Sequence, residues 1–347
     1  MKNSRKVFAL VLAITVIASL LLTACGGAAT TTTAGTTAGT TAGTTAGTTA
    51  GTTAGTTGAA KKYTFGFSVK TLGNPFFVKV KDAIEETMKD GDELLTLDSQ
   101  NDVNKELANV EDLISKKVDA IFITCMDING SVNSINKILA AGIPVAILDS
   151  PSANRDKATY SVISDNILAG YLAMEALDKA LPDGAEVVFF ENSTSAAVSD
   201  RMLGRDNYLK EHPDAVKVVN RKNDRGSVDT GFAAMNDFLQ SNPTLKGVWG
   251  MNDPSAQGII AAIKAAGKKA GEIAVVGIDG SAESAKLIAD GWQLGSSAQY
   301  PQTIGSTAVE EMYKVLGGGQ PTKQDIRIPT KWIDKSNIAD YTAFDLQ

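Results

Sequence analysis

From residue 63 onward, short apolar runs alternate with stretches whose apolar residues fall on one helical face, and this alternation restricts the fold more than any other feature. The runs are FGFSV (65–69), ELLTLD (93–98), DAIFIT (119–124) and VAILD (145–149). Between them Phe77, Val80, Ile84 and Met88 recur at helical spacing, as do Val103, Leu107, Val110 and Ile114, and then Val132, Ile135 and Leu139. Strands separated by helices of this length predict βαβ units and a parallel sheet. A second set follows SVISDN (161–166), with EVVFF (186–190), AVKVV (215–219), GVWGM (247–251) and EIAVVGID (272–279). The pattern closes with a helix over 304–316 and one final strand, DIRIPTKWI (325–333). The globular part, about 280 residues, is large enough to favour two domains, so the expected fold class is α/β with two doubly wound parallel-sheet lobes.

Ahead of this lies a different kind of sequence. Residues 1–24 carry Lys2, Arg5 and Lys6 before the apolar run FALVLAITVIASLLLTA, the form of a secretory signal. The run approaches a bilayer-spanning length, but it stops at Cys25 with Gly-Gly directly after it. LTAC resembles the bacterial lipoprotein cleavage box, which implies lipidation of Cys25 and export to the outer face of the cytoplasmic membrane or the periplasm. Residues 25–62 are the expected tether, almost wholly Thr, Ala and Gly from 28 to 60. Such a segment cannot bury enough apolar surface to offset its ordering entropy, and its span would be roughly 35 Å.

Charge and composition remove several function classes. The formal charge is −6, and losing the three signal cations makes the remainder more acidic still. Without a basic cluster, nucleic acid is not an expected partner. The single His212 lies in the turn-like KEHPDA, so a Ser-His-Asp triad or a histidine-rich metal site is not expected. With only Cys25 and Cys125, a lipidated Cys25 leaves no intrachain disulfide to form. There is no GxSxG elbow, P-loop or GxGxxG fingerprint. No cofactor, metal or catalytic residue is therefore assigned.

The polar residues at strand ends point to binding. Lys70 and Asn74 follow the first strand, Asp127 the third, and Asp149 ends the fourth. Arg201 lies in the helix entry after EVVFF, Asn252-Asp253 follow GVWGM, Asp279 ends AVVGID, and Gln299 lies beyond a late strand. In open α/β sheets ligands bind outside the carboxyl ends of strands. Asp, Asn, Gln and Arg can bond adjacent hydroxyls of a neutral polyol, while rings such as Phe76 and Phe77 cover its C–H faces. Taken singly, each has a plainer reading. Asn74 before Pro75 and Asp253 before Pro254 fit helix N-caps, the two Phe fit a core, and Arg201 fits a solvated helix charge. Asp149 and Asp279 end strands with no helix starting at once, so capping explains them less well.

The segments TLGNPFF, LDSQN followed by KELANVEDLI, SDN at 164–166, R-x-x-G at 201–204, ND at 252–253, VVGIDG and AQYPQTIG occur in order over 63–340. Together they resemble the ribose/galactose-type solute-binding proteins of bacterial sugar transporters, closest to the ribose-binding branch. The resemblance implies a type I periplasmic binding protein fold whose lobes are joined by a multi-strand hinge. One lobe would comprise 63–164 plus about 300–327 and the other 165–299 plus about 328–340, with 341–347 as a tail. It implies ligand roles for Asn74, Phe76, Phe77, Asp149, Arg201, Asn252, Asp279 and Gln299, and a hinge at Ser164, Asp165 and Asn166. Four positions depart from the pattern. Lys70 stands where ribose binders usually carry a small hydroxyl residue and arabinose-like binders carry Lys. Ser150 replaces an Arg, and Arg225 and Ile278 replace aromatic rings.

The expected function is a lipid-anchored, monomeric receptor that closes on a monosaccharide or related polyol and delivers it to an ABC permease. The alternatives are a sugar-sensing receptor using the same site and, less favoured, a secreted carbohydrate-active hydrolase.

Overall fold

A computed structural model of the protein describes residues 61–341. The expected signal at 1–24, Cys25, nearly all of the expected tether and residues 342–347 lie outside the described residues. Among those described, no helix is long and apolar enough to cross a membrane.

The first sheet contains β1 (Thr64–Val69), β2 (Glu93–Asp98), β3 (Ala120–Ile123), β4 (Val145–Leu148), β5 (Tyr160–Ser164) and β11 (Asp325–Ile328), all parallel, in the order β11-β5-β4-β3-β1-β2. The second contains β6 (Ala185–Glu191), β7 (Val216–Asn223), β8 (Gly247–Gly250), β9 (Ala274–Asp279), β10 (Gly295–Ala298) and β12 (Lys331–Asp334), in the order β12-β10-β9-β8-β6-β7. Only β12 runs antiparallel to its neighbour. Strand order reverses between β1 and β3 in one sheet and between β6 and β8 in the other. Each lobe is thus doubly wound, with its crevice at that reversal.

Helices cover both faces of each sheet, which is why AIFI of β3 and VAIL of β4 are apolar at every position and fully buried. In the first lobe α1 (Pro75–Thr87) and α9 (Pro301–Leu316) cover one face, and α2 (Val103–Ser115) and α3 (Val132–Ala140) the other. In the second lobe α4 (Asn166–Lys179) and α5 (Ala196–Glu211) lie opposite α6 (Val228–Leu239) and α7 (Asp253–Ala265), with α8 (Ala282–Ala289) after β9. The helix α1 begins as its sequence dictates: the Asn74 side chain accepts the N–H of Phe76, and Pro75 occupies the first turn.

Two elements differ from the sequence expectation. DIRIPTKWI is not one strand, because β11 and β12 belong to different sheets and Pro329-Thr330 carries the chain between them. The α2 face that packs inward is Glu106, Val110 and Leu113, so a carboxylate lies where an apolar stripe was expected. Glu106 is tolerated there because Met126 N–H and the hydroxyls of Ser131 and Ser134 all donate to it.

The chain changes sheets three times: between β5 and α4, between β10 and α9, and between β11 and β12. The crossings run side by side. Asp165 N–H donates to Ile328 C=O at 2.8 Å, and the Ser297 hydroxyl donates to Ala169 C=O at 2.8 Å. The late helix α9 packs on α1, where Gly305 leaves room for the Val80 carbonyl.

Candidate binding site

The carboxyl ends of the two sheets face one another across a cleft of ≈ 490 Å³. From the first lobe it is lined by Lys70, Asn74, Phe76, Phe77 and Asp149, and from the second by Arg201, Asn252, Asp279 and Gln299. Nine of the ten ligand-site residues read from the sequence therefore share one wall or the other. Asp127 is the exception. It does not line the cleft, because its carboxylate turns back to accept the N–H groups of Asn129 and Gly130.

Backbone geometry aims the two central carboxylates. Asp149 has φ 59° and Asp279 has φ 147°, conformations that side-chain-bearing residues rarely adopt. Such strain persists only where the surroundings hold it. For Asp279 the holding group is Asp253, whose buried carboxylate accepts Gly280 N–H at 2.9 Å, Ser281 N–H at 2.8 Å and the Ser296 hydroxyl at 2.7 Å. The expected cap role of Asp253 thus falls to its neighbour. The N-cap of α7 is Asn252, whose oxygen accepts Ser255 N–H while its amide donates to Gly226 C=O. Both Asn74 and Asn252 cap helices and also line the cleft, so the two readings are compatible.

Arg201 is buried, not the solvated charge its helical position suggested. Its Nε donates to Asn166 Oδ1 at 2.8 Å, one terminal nitrogen donates to Met251 C=O at 2.7 Å, and the other lies 3.6 Å from Asp279 Oδ1. Gln299 donates to the same Asp279 oxygen at 2.6 Å. Its own Oε1 is buried and has no hydrogen-bond partner among the described residues. Asn166 therefore joins the β5–α4 crossing to the cleft floor, while Asp165 caps α4.

Burial drives Lys70, Asp149 and Asp279 toward their neutral forms. It lowers the Lys70 ammonium against the opposing pull of Asp149. It raises the Asp149 carboxyl against Arg201 and Lys70. It also pushes Asp279 well above the usual carboxylate range; Arg201 opposes this, and nearby Asp253 and Asp149 add to it. A carboxyl whose folded pKa is raised contributes stability that is complete below the ordinary carboxylate value and is lost as pH rises through the folded value. The melting temperature should therefore contain a component that falls from about pH 4 toward neutrality, and Asp279→Asn should remove part of it. Equal pH slopes for the two proteins, followed by circular dichroism, would contradict this.

Phe76 and Phe77 meet edge to face at 5.4 Å and form the apolar patch of the first lobe. No aromatic ring lines the second lobe's side among the described residues, where Val198, Val228 and Met251 take that place. Arg225 is exposed at the cleft. Sequence reasoning missed Asn101, Asn192 and Ser195, which also line it. Asn101 and Asn192 follow the ends of β2 and β6, the same signal that identified the others. Asn101 has φ 58° and donates its N–H to Lys70 C=O.

Residues 65–320 match the family described as periplasmic binding protein domain. The ribose import binding protein RbsB of Bacillus subtilis is 34% identical over 276 residues, covering 79% of this chain and 88% of that protein. The D-apiose import binding protein of Actinobacillus succinogenes is 28% identical over 279 residues, covering 79% and 88%. Among solved structures, an ABC transporter solute binding protein from Bacillus halodurans C-125 with bound myo-inositol superposes with a TM-score of 0.76. It is 28% identical, over 82% of this chain and 99% of that one.

Proposed function

The chain belongs to the periplasmic binding protein domain family, and from that premise we propose that it is a receptor for a monosaccharide or related polyol. The observation that carries this reading is the charge balance of the cleft. Two cationic side chains, half-buried Lys70 and buried Arg201, face two buried carboxyl groups, Asp149 and Asp279, so the site suits a neutral ligand rich in donors and acceptors. Phe76 and Phe77 supply an apolar surface for its C–H face, and Asn74, Asn252 and Gln299 add amides. The relatives named above, two of them import binding proteins for ribose and D-apiose and one solved with bound myo-inositol, support the same ligand class.

In this reading the ligand bonds to both lobes and favours the closed arrangement by its differential affinity, with the lobes turning about Ser164–Asn166 and the two parallel crossings. The closed receptor hands its sugar to an ABC permease, anchored as a monomer by lipid on Cys25. The site binds and does not catalyse. Lys70 and Arg225, which depart from the ribose pattern, direct the choice of sugar toward a related pentose, hexose or cyclic polyol.

A thermal-shift panel of pentoses, hexoses and inositols tests the assignment. A ligand at a hundred times its Kd should add about 2.7 kcal/mol to stability and raise the melting temperature accordingly. No shift with any member, in protein freed of bound ligand, would refute the ligand class.

A further inference from the structure

Asp127 does not line the cleft, yet its loop touches the second lobe. Its Oδ1 accepts Asn129 N–H at 2.9 Å and Gly130 N–H at 2.8 Å, a turn that fixes the local backbone. Glu106 anchors the same loop from beneath, accepting Met126 N–H at 2.6 Å and the Ser131 hydroxyl at 2.9 Å. Held this way, Ile128 donates its N–H to the carbonyl of Thr194 in the second lobe at 3.0 Å, and its own carbonyl accepts Ala153 N–H at 2.7 Å. The facing loop is built alike. Asn192 Oδ1 accepts both the N–H and the hydroxyl of Thr194 at 3.0 Å. Beside this contact the hydroxyls of Ser150 and Ser195, again from different lobes, lie 3.4 Å apart.

Bonds that join the lobes away from the crossings are made on closing and broken on opening. We propose that loops 126–131 and 192–195 form a closure clasp, and that Asp127 is a positioning residue for ligand retention that touches no ligand. The proposal rests on the cleft being the ligand site. A ligand enclosed by both lobes leaves only after the clasp has parted, so the clasp acts on the dissociation rate. Its central bond joins two backbone groups, so it is indifferent to which sugar is enclosed and scales every affinity by the same factor.

Stopped-flow binding on the full chain, with the two tightest sugars of the panel, tests this. Asp127→Ala should raise koff roughly 2- to 12-fold, the net worth of one hydrogen bond, with kon and the ratio of the two Kd values unchanged. Asp127→Asn, whose amide oxygen can make the same turn, should behave as wild type. Ile128→Pro, which deletes the donor outright, should raise koff at least as much, with ligand-free melting temperatures checking that both variants fold. An unchanged koff, or a changed Kd ratio signalling direct ligand contact, would overturn the clasp. Should no panel sugar bind wild type, the ligand reading fails by itself. The clasp is then judged by the distance between paired labels on α3 and α6: Asp127→Ala should shift it toward wider separations, and an unaltered distribution would overturn the proposal.

Discussion

Asp279→Asn is expected to weaken ligand binding about 30-fold or more while leaving the fold intact, the ordinary consequence of removing one member of a buried, hydrogen-bonded charge pair. Asp279 exposes only 4% of its surface, lies 3.6 Å from the Arg201 guanidinium and accepts from Gln299 at 2.6 Å. Losing its charge leaves Arg201 with less to balance it in a site that water reaches poorly. Asn is the informative replacement because it keeps the volume of the side chain and removes its charge. Asp279→Ala removes the acceptor as well and should abolish binding. Titration calorimetry with the panel's best ligand gives the affinity, and circular dichroism verifies the fold. Wild-type affinity in Asp279→Asn would sink the site assignment.

Gly170→Ala is expected to damage stability and binding together. A Cβ at Gly170 would lie 1.8 Å from the carbonyl oxygen of Arg201, and one at Gly204 would lie 1.8 Å from that of Ile167. The helices α4 and α5 thus pack backbone against backbone through two reciprocal glycines. Neither obstacle is a flexible side-chain tip, so the helices must separate. Overpacking of this severity costs about 3 kcal/mol, which for a domain of this size lowers the melting temperature by roughly 6–12 °C. The residue displaced is Arg201 itself, so the guanidinium should lose its register with Asn166, Met251 and Asp279, and Kd should rise. A variant with wild-type melting temperature and Kd would show that α5 can shift without cost.

Gly204 also illustrates how much of the protein was legible beforehand. The spacing R-x-x-G at 201–204 was readable as a motif, but its physical cause, contact with Ile167 on a helix thirty-odd residues earlier, was not. Asn74-Pro75 announced the start of α1 because capping is decided within a few residues. Asp149 and Asp279 were identifiable because each ends an apolar strand without an immediate helix. Asp127 satisfied the same positional rule and was assigned to the ligand site. Its carboxylate spends its acceptor capacity two and three residues downstream, a local choice that strand position does not reveal. Glu106 was invisible for the opposite reason. Its hydrogen bonds come from residues 20 to 28 positions away, so nothing near it in sequence marked a buried carboxylate.

What the sequence determined by itself was the alternation of strand and helix, the division into two α/β lobes and the strand ends on which polar residues would gather. These rest on periodicity and capping, which act over a few residues. Periodicity left open, and the tertiary structure decided, that α9 returns to α1, that β11 and β12 divide between the sheets, and that Arg201 is buried against Asp279. It alone brought Ile128 to Thr194. Each of these is a meeting of segments far apart in the chain, settled by which faces can be buried together, and local patterning carries no record of that partner.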